Sequence, residues 1–152
     1  MSQDACQSEH ENLALLNHLL QGMHIGNQSL HSYINTIEDT QLRHQLEQME
    51  KEYQVLAQEL SSHIRDLGGT PIDSTGLGGT MAKISTMITN AMAQTPLDVV
   101  NEISKGLNMG IDSLEQALPK LTGNSKAAVE KGLQSSRTMF QQLETIKRQY
   151  LH

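Results

Sequence analysis

Apolar side chains recur every three or four positions along most of this chain. From Glu11 onward, the first series comprises Leu13, Leu16, Leu20, Met23, Leu30, Ile34 and Ile37. Steps of three and four residues place side chains on one face of an α-helix, so this series predicts a long amphipathic helix. One member is polar, because Asn27 stands where an apolar residue is expected. We therefore expect an amide in the buried stripe at mid-helix.

A second series with the same period predicts another long helix. Its members are Leu42, Leu46, Met49, Tyr53, Leu56, Leu60, His63 or Ile64, and Leu67. Asp39 or Thr40 can cap its start, Gly68-Gly69 marks its end, and Pro71 prevents its continuation. Two helices of roughly thirty residues joined by a short turn must lie antiparallel, each roughly 40 Å long.

The second half of the chain predicts one short helix and two long ones. The short helix, from Met81 to Met92, ends before Thr95, which with Asp98 forms the start of the next helix in the manner of a capping box. The apolar positions of the two long helices are Val100, Ile103, Leu107, Ile111, Leu114 and Leu118, and then Val129, Leu133, Phe140, Leu143 and Ile146. Pro119 separates them, and Asn124 or Ser125 starts the last one.

These elements predict an all-α fold, a four-helix bundle of two long antiparallel hairpins joined by a crossover that contains the short extra helix. Two hairpins with one long connection are the arrangement of ferritin-like folds. The chain has 152 residues, which is enough for one hydrophobic core. We expect residues 11–152 to form this single domain and residues 1–10 to be a flexible polar leader.

Composition and charge narrow the range of partners. The formal net charge is −6, and the 11 Lys and Arg residues are scattered among 17 acidic ones, which argues against nucleic acid as a partner. No apolar run reaches the roughly 18 residues of a membrane span, and the N-terminus lacks an apolar signal segment. We therefore expect no membrane contact and a cytoplasmic protein. The single cysteine, Cys6, excludes an internal disulfide.

Two stretches of the sequence carry a resemblance to a known family. They are LLNHLLQGMHIGNQSL in the first helix and LEQMEKEYQVLAQELSSHIRDLGGTP in the second. The residues that fit the family pattern are Leu16, Asn17, Leu19, Gly26, Glu52, Glu59, Leu60, Leu67, Gly68, Gly69 and Pro71. On these residues the chain resembles an uncharacterised bacterial family of ferritin-like four-helix-bundle domains of unknown function. The second half fits more loosely, through Gly106 and the Ala117-Leu118-Pro119 ending.

The resemblance implies the usual chemistry of the ferritin-like superfamily, a di-iron or di-manganese site. Such a site takes a Glu from each of two helices and a Glu-x-x-His pair from each of the other two. This chain departs from that set, with Asn27 on the first helix, Val55 three residues after Glu52, Leu107 on the third helix and Phe140 on the last. We expect these substitutions to remove charge and to fill the space of the metal pair.

Glu52, Glu59 and His63 are the best remaining metal ligands. Glu59 and His63 stand one helical turn apart, and Glu52 stands one heptad earlier on the same side of the helix. The alternative is that the two glutamates are solvated residues that pair with Lys51 and Arg65, and that His63 is half-buried and hydrogen-bonded. We favour the alternative, since the remaining ligand set is incomplete.

Histidines and glycines of the helices raise two further possibilities. The first helix carries His10, His18, His24 and His31, a composition that suits copper or zinc, although no two of them stand four residues apart. The glycine pairs Gly22/Gly26 and Gly106/Gly110 lower helix propensity. They indicate close helix approach or a ligand-sized gap, of which we favour close approach.

Taken together, the sequence favours a non-enzymatic interaction or assembly module, a ferritin-like homodimer that has lost its metal ligands and binds no cofactor. The alternative is a metal-binding protein or oxidase with a non-standard iron, manganese or zinc site near Glu52, Glu59 and His63.

The apolar surface of the short predicted helix leads to a test of self-association. Met81, Ile84, Met87, Ile88 and Met92 cover more than one helical face, and such a helix requires a second partner. Replacing Met87 and Ile88 by Glu is expected to convert a dimer into a monomer in size-exclusion chromatography with light scattering. A wild-type protein that is monomeric at high concentration would contradict this prediction.

Overall fold

The computed structural model describes residues 2–73 and 95–151. These ranges contain four α-helices and no strand: α1 (Ser2–Thr36), α2 (Thr40–Asp66), α3 (Pro96–Ala117) and α4 (Gly123–Arg148), with a 3-10 turn at Leu118–Lys120. The predicted all-α architecture with four long helices is confirmed. None of the four described helices has an apolar stretch that could cross a bilayer. The short helix predicted from Met81 to Met92 lies outside the described residues.

The first turn joins α1 and α2 through a side-chain cap. The Asp39 Oδ1 atom accepts hydrogen bonds from the backbone amides of Gln41 (3.0 Å) and Leu42 (3.1 Å), and the Leu42 amide contributes most to lowering the pKa of this carboxyl group. The other oxygen, Oδ2, accepts from the Tyr150 hydroxyl at 3.1 Å. The predicted cap at Asp39 is therefore present, and it also contacts the C-terminal end of the chain.

At the other end of the chain, α1 begins at Ser2, so its backbone helix includes positions expected in the polar leader.

Glycine ends α2 and a capping box begins α3, as the sequence predicts. Gly68 has φ of 83°, its amide donates to the Arg65 carbonyl, and the Gly69 amide donates to the Ile64 carbonyl, both at 2.9 Å. This pair of bonds satisfies carbonyls that the helix end leaves free. At α3, the Thr95 side chain and the Asp98 side chain each accept from the backbone amide of the other.

The hydrophobic core consists of two clusters along the bundle axis. The first cluster includes Leu30, Ile34, Leu42, Leu46, Val99, Val100, Leu143 and Ile146. The second includes Leu16, Leu20, Leu60, Ile64, Ile111, Leu114, Val129 and Leu133. The first cluster therefore contains the end of α1, the start of α2, the start of α3 and the end of α4. It follows that α2 and α3 run in one direction and that α1 and α4 run in the other. α1 also packs on α3, and α2 on α4.

An asparagine of α1 holds the segment that follows α2. The Asn17 Nδ2 group donates to the Thr70 carbonyl at 3.1 Å, and the Asn17 Oδ1 atom accepts from the Ile72 amide at 2.8 Å. One heptad later, His24 Nε2 lies 3.0 Å from the Ile72 carbonyl, where a protonated Nε2 donates to that oxygen. Asn17 and Pro71 are two positions of the family pattern that lie far apart in sequence. Both therefore belong to this contact between α1 and the segment after α2.

The Asn17 amide leads to a stability prediction. Asn17→Ala is expected to lower the free energy of unfolding by roughly 1–3 kcal/mol, because it removes two hydrogen bonds and leaves the Ile72 amide without its partner. Chemical denaturation measures the change. The matched control is Asn35→Ala, since Asn35 lies exposed on the same helix and makes no hydrogen bond within the described residues. Equal effects of the two substitutions would contradict the proposed role of Asn17.

Candidate functional site

The three predicted metal ligands lie along the side of α2 that faces α4. Glu52 is exposed in a surface groove between these two helices. A Glu59 carboxylate oxygen lies 3.3 Å from the Lys131 ammonium, and His63 Nε2 lies 2.9 Å from the Ser125 hydroxyl. The structure therefore places them on one side of the helix, as their spacing predicts. Glu59 and His63 have separate partners on α4.

No ligand cluster forms within the described residues. In these ranges no three His, Cys, Asp or Glu side chains lie close enough together to hold a metal ion. Glu52 and Glu59 are about 10 Å apart along the helix axis. On α1, His24 contacts the Ile72 carbonyl and His31 contacts Glu50 at 3.1 Å. The structure therefore does not bring the candidate ligands of either set together, and the metal assignment stays a prediction.

The four residues expected to fill the metal space lie in different places. Val55 is 51% exposed, so its predicted place in the interior is wrong. It precedes the buried Leu56 by one residue and so points about 100° away from it around the helix. Phe140 is half-buried at a surface groove between α3 and α4, and Asn27 is half-buried at a groove between α1 and α2. Of the four, only Leu107 lines the space at the middle of the bundle.

That middle space is an apolar cavity of about 220 Å³, lined by residues from all four helices. Gly106 and Met109 on α3 line its exposed side. Met49 on α2 and Met139 on α4 line it from the core, where both are buried. The cavity therefore runs from the surface between α1 and α3 into the bundle interior. We call it the α1/α3 cavity.

Tyr53 forms one wall of the α1/α3 cavity and accounts for a glycine on α1. A Cβ atom at Gly26 would lie 3.1 Å from both the Tyr53 ring and its hydroxyl, and one at Gly110 would lie 3.7 Å from the hydroxyl. At Gly22 and Gly106 a Cβ atom would meet no atom of the described residues within 4 Å. Close helix approach is therefore seen at Gly26, as we expected, whereas Gly22 and Gly106 are exposed and a ligand-sized gap stays a prediction.

The electrostatics of the α1/α3 cavity are those of a neutral interior with a charged rim. Burial raises the pKa of Tyr53 to about 12, so its phenol stays protonated at neutral pH. This hydroxyl makes no hydrogen bond to any residue in the described part of the chain. Burial and the nearby Glu102 carboxylate also raise the pKa of Tyr33. Glu102 lies partly exposed at the rim, 3.4 Å from the exposed Lys105 ammonium.

The lining of the α1/α3 cavity is mainly apolar. Its described lining contains no His or Cys, and its one carboxylate, Glu102, stands at the rim. A general acid–base or nucleophilic mechanism needs paired titratable groups within hydrogen-bond reach, and this lining offers none. What it offers is mainly apolar surface, with the hydroxyl-bearing side chains of Ser29, Tyr33 and Tyr53 among its lining.

Sequence reasoning placed Tyr53 in the core stripe of α2 but did not identify its role. The available signal was Gly26, a residue with poor helix propensity in the middle of α1. A glycine at such a position indicates that something large approaches the helix backbone. Nothing local to either helix shows that the large group is Tyr53, because the two residues are 27 positions apart in sequence.

The comparisons with known proteins give one match. A family model described as "Domain of unknown function (DUF2383)" matches residues 11–120, which is more than half of the chain. No curated protein and no solved structure matches. The sequence-based expectation of an uncharacterised family is confirmed at this level.

The amide of Asn27 gives a prediction opposite in sign to that for Asn17. Its Oδ1 atom is buried and has no hydrogen-bond partner among the described residues. Asn27→Leu is expected to keep or raise stability, because it removes this unpaired oxygen and adds apolar contact of at most about 1.5–3 kcal/mol. The matched control is Asn17→Leu, which breaks two hydrogen bonds and is expected to lower stability. Equilibrium denaturation measures the free energy of unfolding of both variants. A large loss of stability at Asn27 would show that a polar network surrounds it.

Proposed function

The chain belongs to the DUF2383 family, and we propose that it is a ferritin-like bundle that has lost the di-metal ligand set. In this proposal it acts as a non-enzymatic interaction or assembly module and works as a homodimer.

The composition of the α1/α3 cavity is the observation that carries the proposal. A di-metal centre concentrates four or more carboxylates and imidazoles in the space between the four helices. Here the corresponding space holds Leu107, Met49, Met139 and the neutral Tyr53 phenol. Cations entering such a lining would lose their hydration without gaining ligands. The described interior is therefore suited to an apolar occupant.

Helix direction supports the ferritin-like assignment. α1 and α2 form one antiparallel hairpin, α3 and α4 form another, and α2 runs in the same direction as α3. A bundle with these directions has two short connections and one connection between opposite ends, as in ferritin-like folds. The superfamily assignment remains our proposal, supported by this order of directions and by the family pattern in α1 and α2.

The homodimer rests on the sequence pattern. Its proposed surface, from Met81 to Met92, lies outside the described residues, so the support is the apolar width of that segment. Twofold dimers are the commonest closed assemblies of soluble chains, which makes a homodimer the first assembly to test.

The competing function is a metal-binding protein or oxidase that uses Glu52, Glu59 and His63. Glu59 and His63 would have to exchange their contacts with Lys131 and Ser125 for the ion. Those contacts are partly solvent-exposed, so their energetic value is small. The metal content of the purified protein decides between the two functions.

We expect protein purified without a polyhistidine tag to carry well under one iron, manganese or zinc ion per chain and to show no ferroxidase activity. Added divalent iron or manganese is expected to raise the melting temperature by less than about 2 °C, because an absent site gives no binding energy to the folded state. Elemental analysis and thermal denaturation check these outcomes.

A double variant, Glu59→Ala with His63→Ala, tests the competing function directly. Its matched control is His44→Ala with Glu47→Ala, which changes the same residue types on the same helix. Stoichiometric metal in the wild type that disappears together with thermal stability only in the Glu59/His63 variant would show that these residues are ligands, and it would overturn the proposed function.

A further inference from the structure

We propose that the α1/α3 cavity is a binding site for one small, uncharged, mostly apolar molecule of aromatic size that accepts a hydrogen bond from the Tyr53 hydroxyl. This inference rests on the proposed function, because a bundle without a metal centre leaves its interior free for another occupant. It goes further in naming the site, the contacting group and the chemical class of the ligand.

The volume of the cavity sets the size of the ligand. An apolar protein cavity of about 150 Å³ accommodates benzene and stays dry without it. The α1/α3 cavity has about 220 Å³, so a six-membered ring with a short substituent fits. Gly106 lines the outer side of the cavity, where no described residue lies within 4 Å of its Cβ position.

The Tyr53 hydroxyl provides the polar recognition. It makes no hydrogen bond to any described residue, and the Tyr53 side chain is only partly buried, so a molecule in the cavity can bond to it. The ring and its hydroxyl lie against Gly26, and this contact fixes the position of the hydroxyl oxygen beside the cavity. Because the phenol is protonated, it donates, and the complementary group on the ligand is a carbonyl, hydroxyl or ether oxygen.

The apolar lining of the cavity selects against ions. Its Met49 and Met139 side chains provide no compensation for the hydration that any ion would lose inside. Lys105 already pairs with Glu102 and points into solvent. Uncharged molecules therefore bind in preference to carboxylates of the same shape.

Three probes of similar shape test the site on the full chain. Acetophenone has a carbonyl acceptor, toluene lacks one, and benzoate carries a negative charge. Methionine methyl groups labelled with ¹³C report binding by NMR, because Met49, Met109 and Met139 line the cavity, and single Met→Leu variants assign their signals. Acetophenone is expected to shift these three signals saturably, toluene to bind roughly threefold to tenfold more weakly, and benzoate to cause no shift.

Two variants separate the hydroxyl from the cavity. Tyr53→Phe keeps the ring against Gly26 but removes the hydroxyl. The affinity for acetophenone is therefore expected to fall to that for toluene, while the affinity for toluene is unchanged. Gly106→Leu fills the cavity and also improves helix propensity, so it should fold and bind neither probe. Gly22→Ala is the control, because Gly22 does not line this cavity, and it is expected to bind acetophenone as the wild type does.

Three results would overturn the site: no saturable shift with acetophenone, shifts confined to other methionines, or unchanged acetophenone affinity in Tyr53→Phe. Elemental analysis of the same sample keeps the two proposals distinguishable. Stoichiometric metal together with probe binding refutes the proposed function and supports the binding site. Metal-free protein that does not bind the probes refutes the binding site alone.

Discussion

The contact between the Tyr53 ring and Gly26 determines how three helices meet at the middle of this bundle. A residue with a Cβ atom at position 26 would push the ring away, and the ring in turn separates the α1 and α3 backbones near Gly110. Helices kept apart at this level cannot close the space between them. The α1/α3 cavity lies beside this contact, and both Tyr53 and Gly26 line it.

The two core clusters and the polar contacts at the helix ends stabilise the rest of the bundle. Asp39 caps α2 and also binds Tyr150, which joins the α1/α2 turn to the end of α4. At the opposite end, Asn17 holds the segment after α2 on α1 through two hydrogen bonds. The residues of the family pattern thus act mainly on the conformation of the backbone. Asn17, Gly68, Gly69 and Pro71 position a turn, whereas Gly26 and Gly106 line the cavity.

In the described residues, the ion pairs lie at the surface of the bundle and not inside the α1/α3 cavity. The candidate ligands Glu59 and His63 face α4 at the surface, and the ion pair of Glu59 with Lys131 is solvent-exposed. The described interior presents a neutral phenol and apolar side chains. Loss of ligands alone would leave a solvated gap, whereas the mainly apolar lining of this cavity suits a different kind of occupant in our proposal. This is why we connect the absence of a ligand set in the cavity with a binding role.

The sequence by itself determined the helices and their ends, because hydrophobic period and capping are local: Asp39 and Gly68 act on amides and carbonyls within a few residues. It did not determine which residues face the centre, because a helical stripe is wide and its exact orientation depends on the neighbouring helices. Val55 therefore proved exposed although its neighbour Leu56 is buried. The Asn17 hydrogen bonds and the approach of Tyr53 to Gly26 join residues distant in sequence, so only the packing of the four helices decided them.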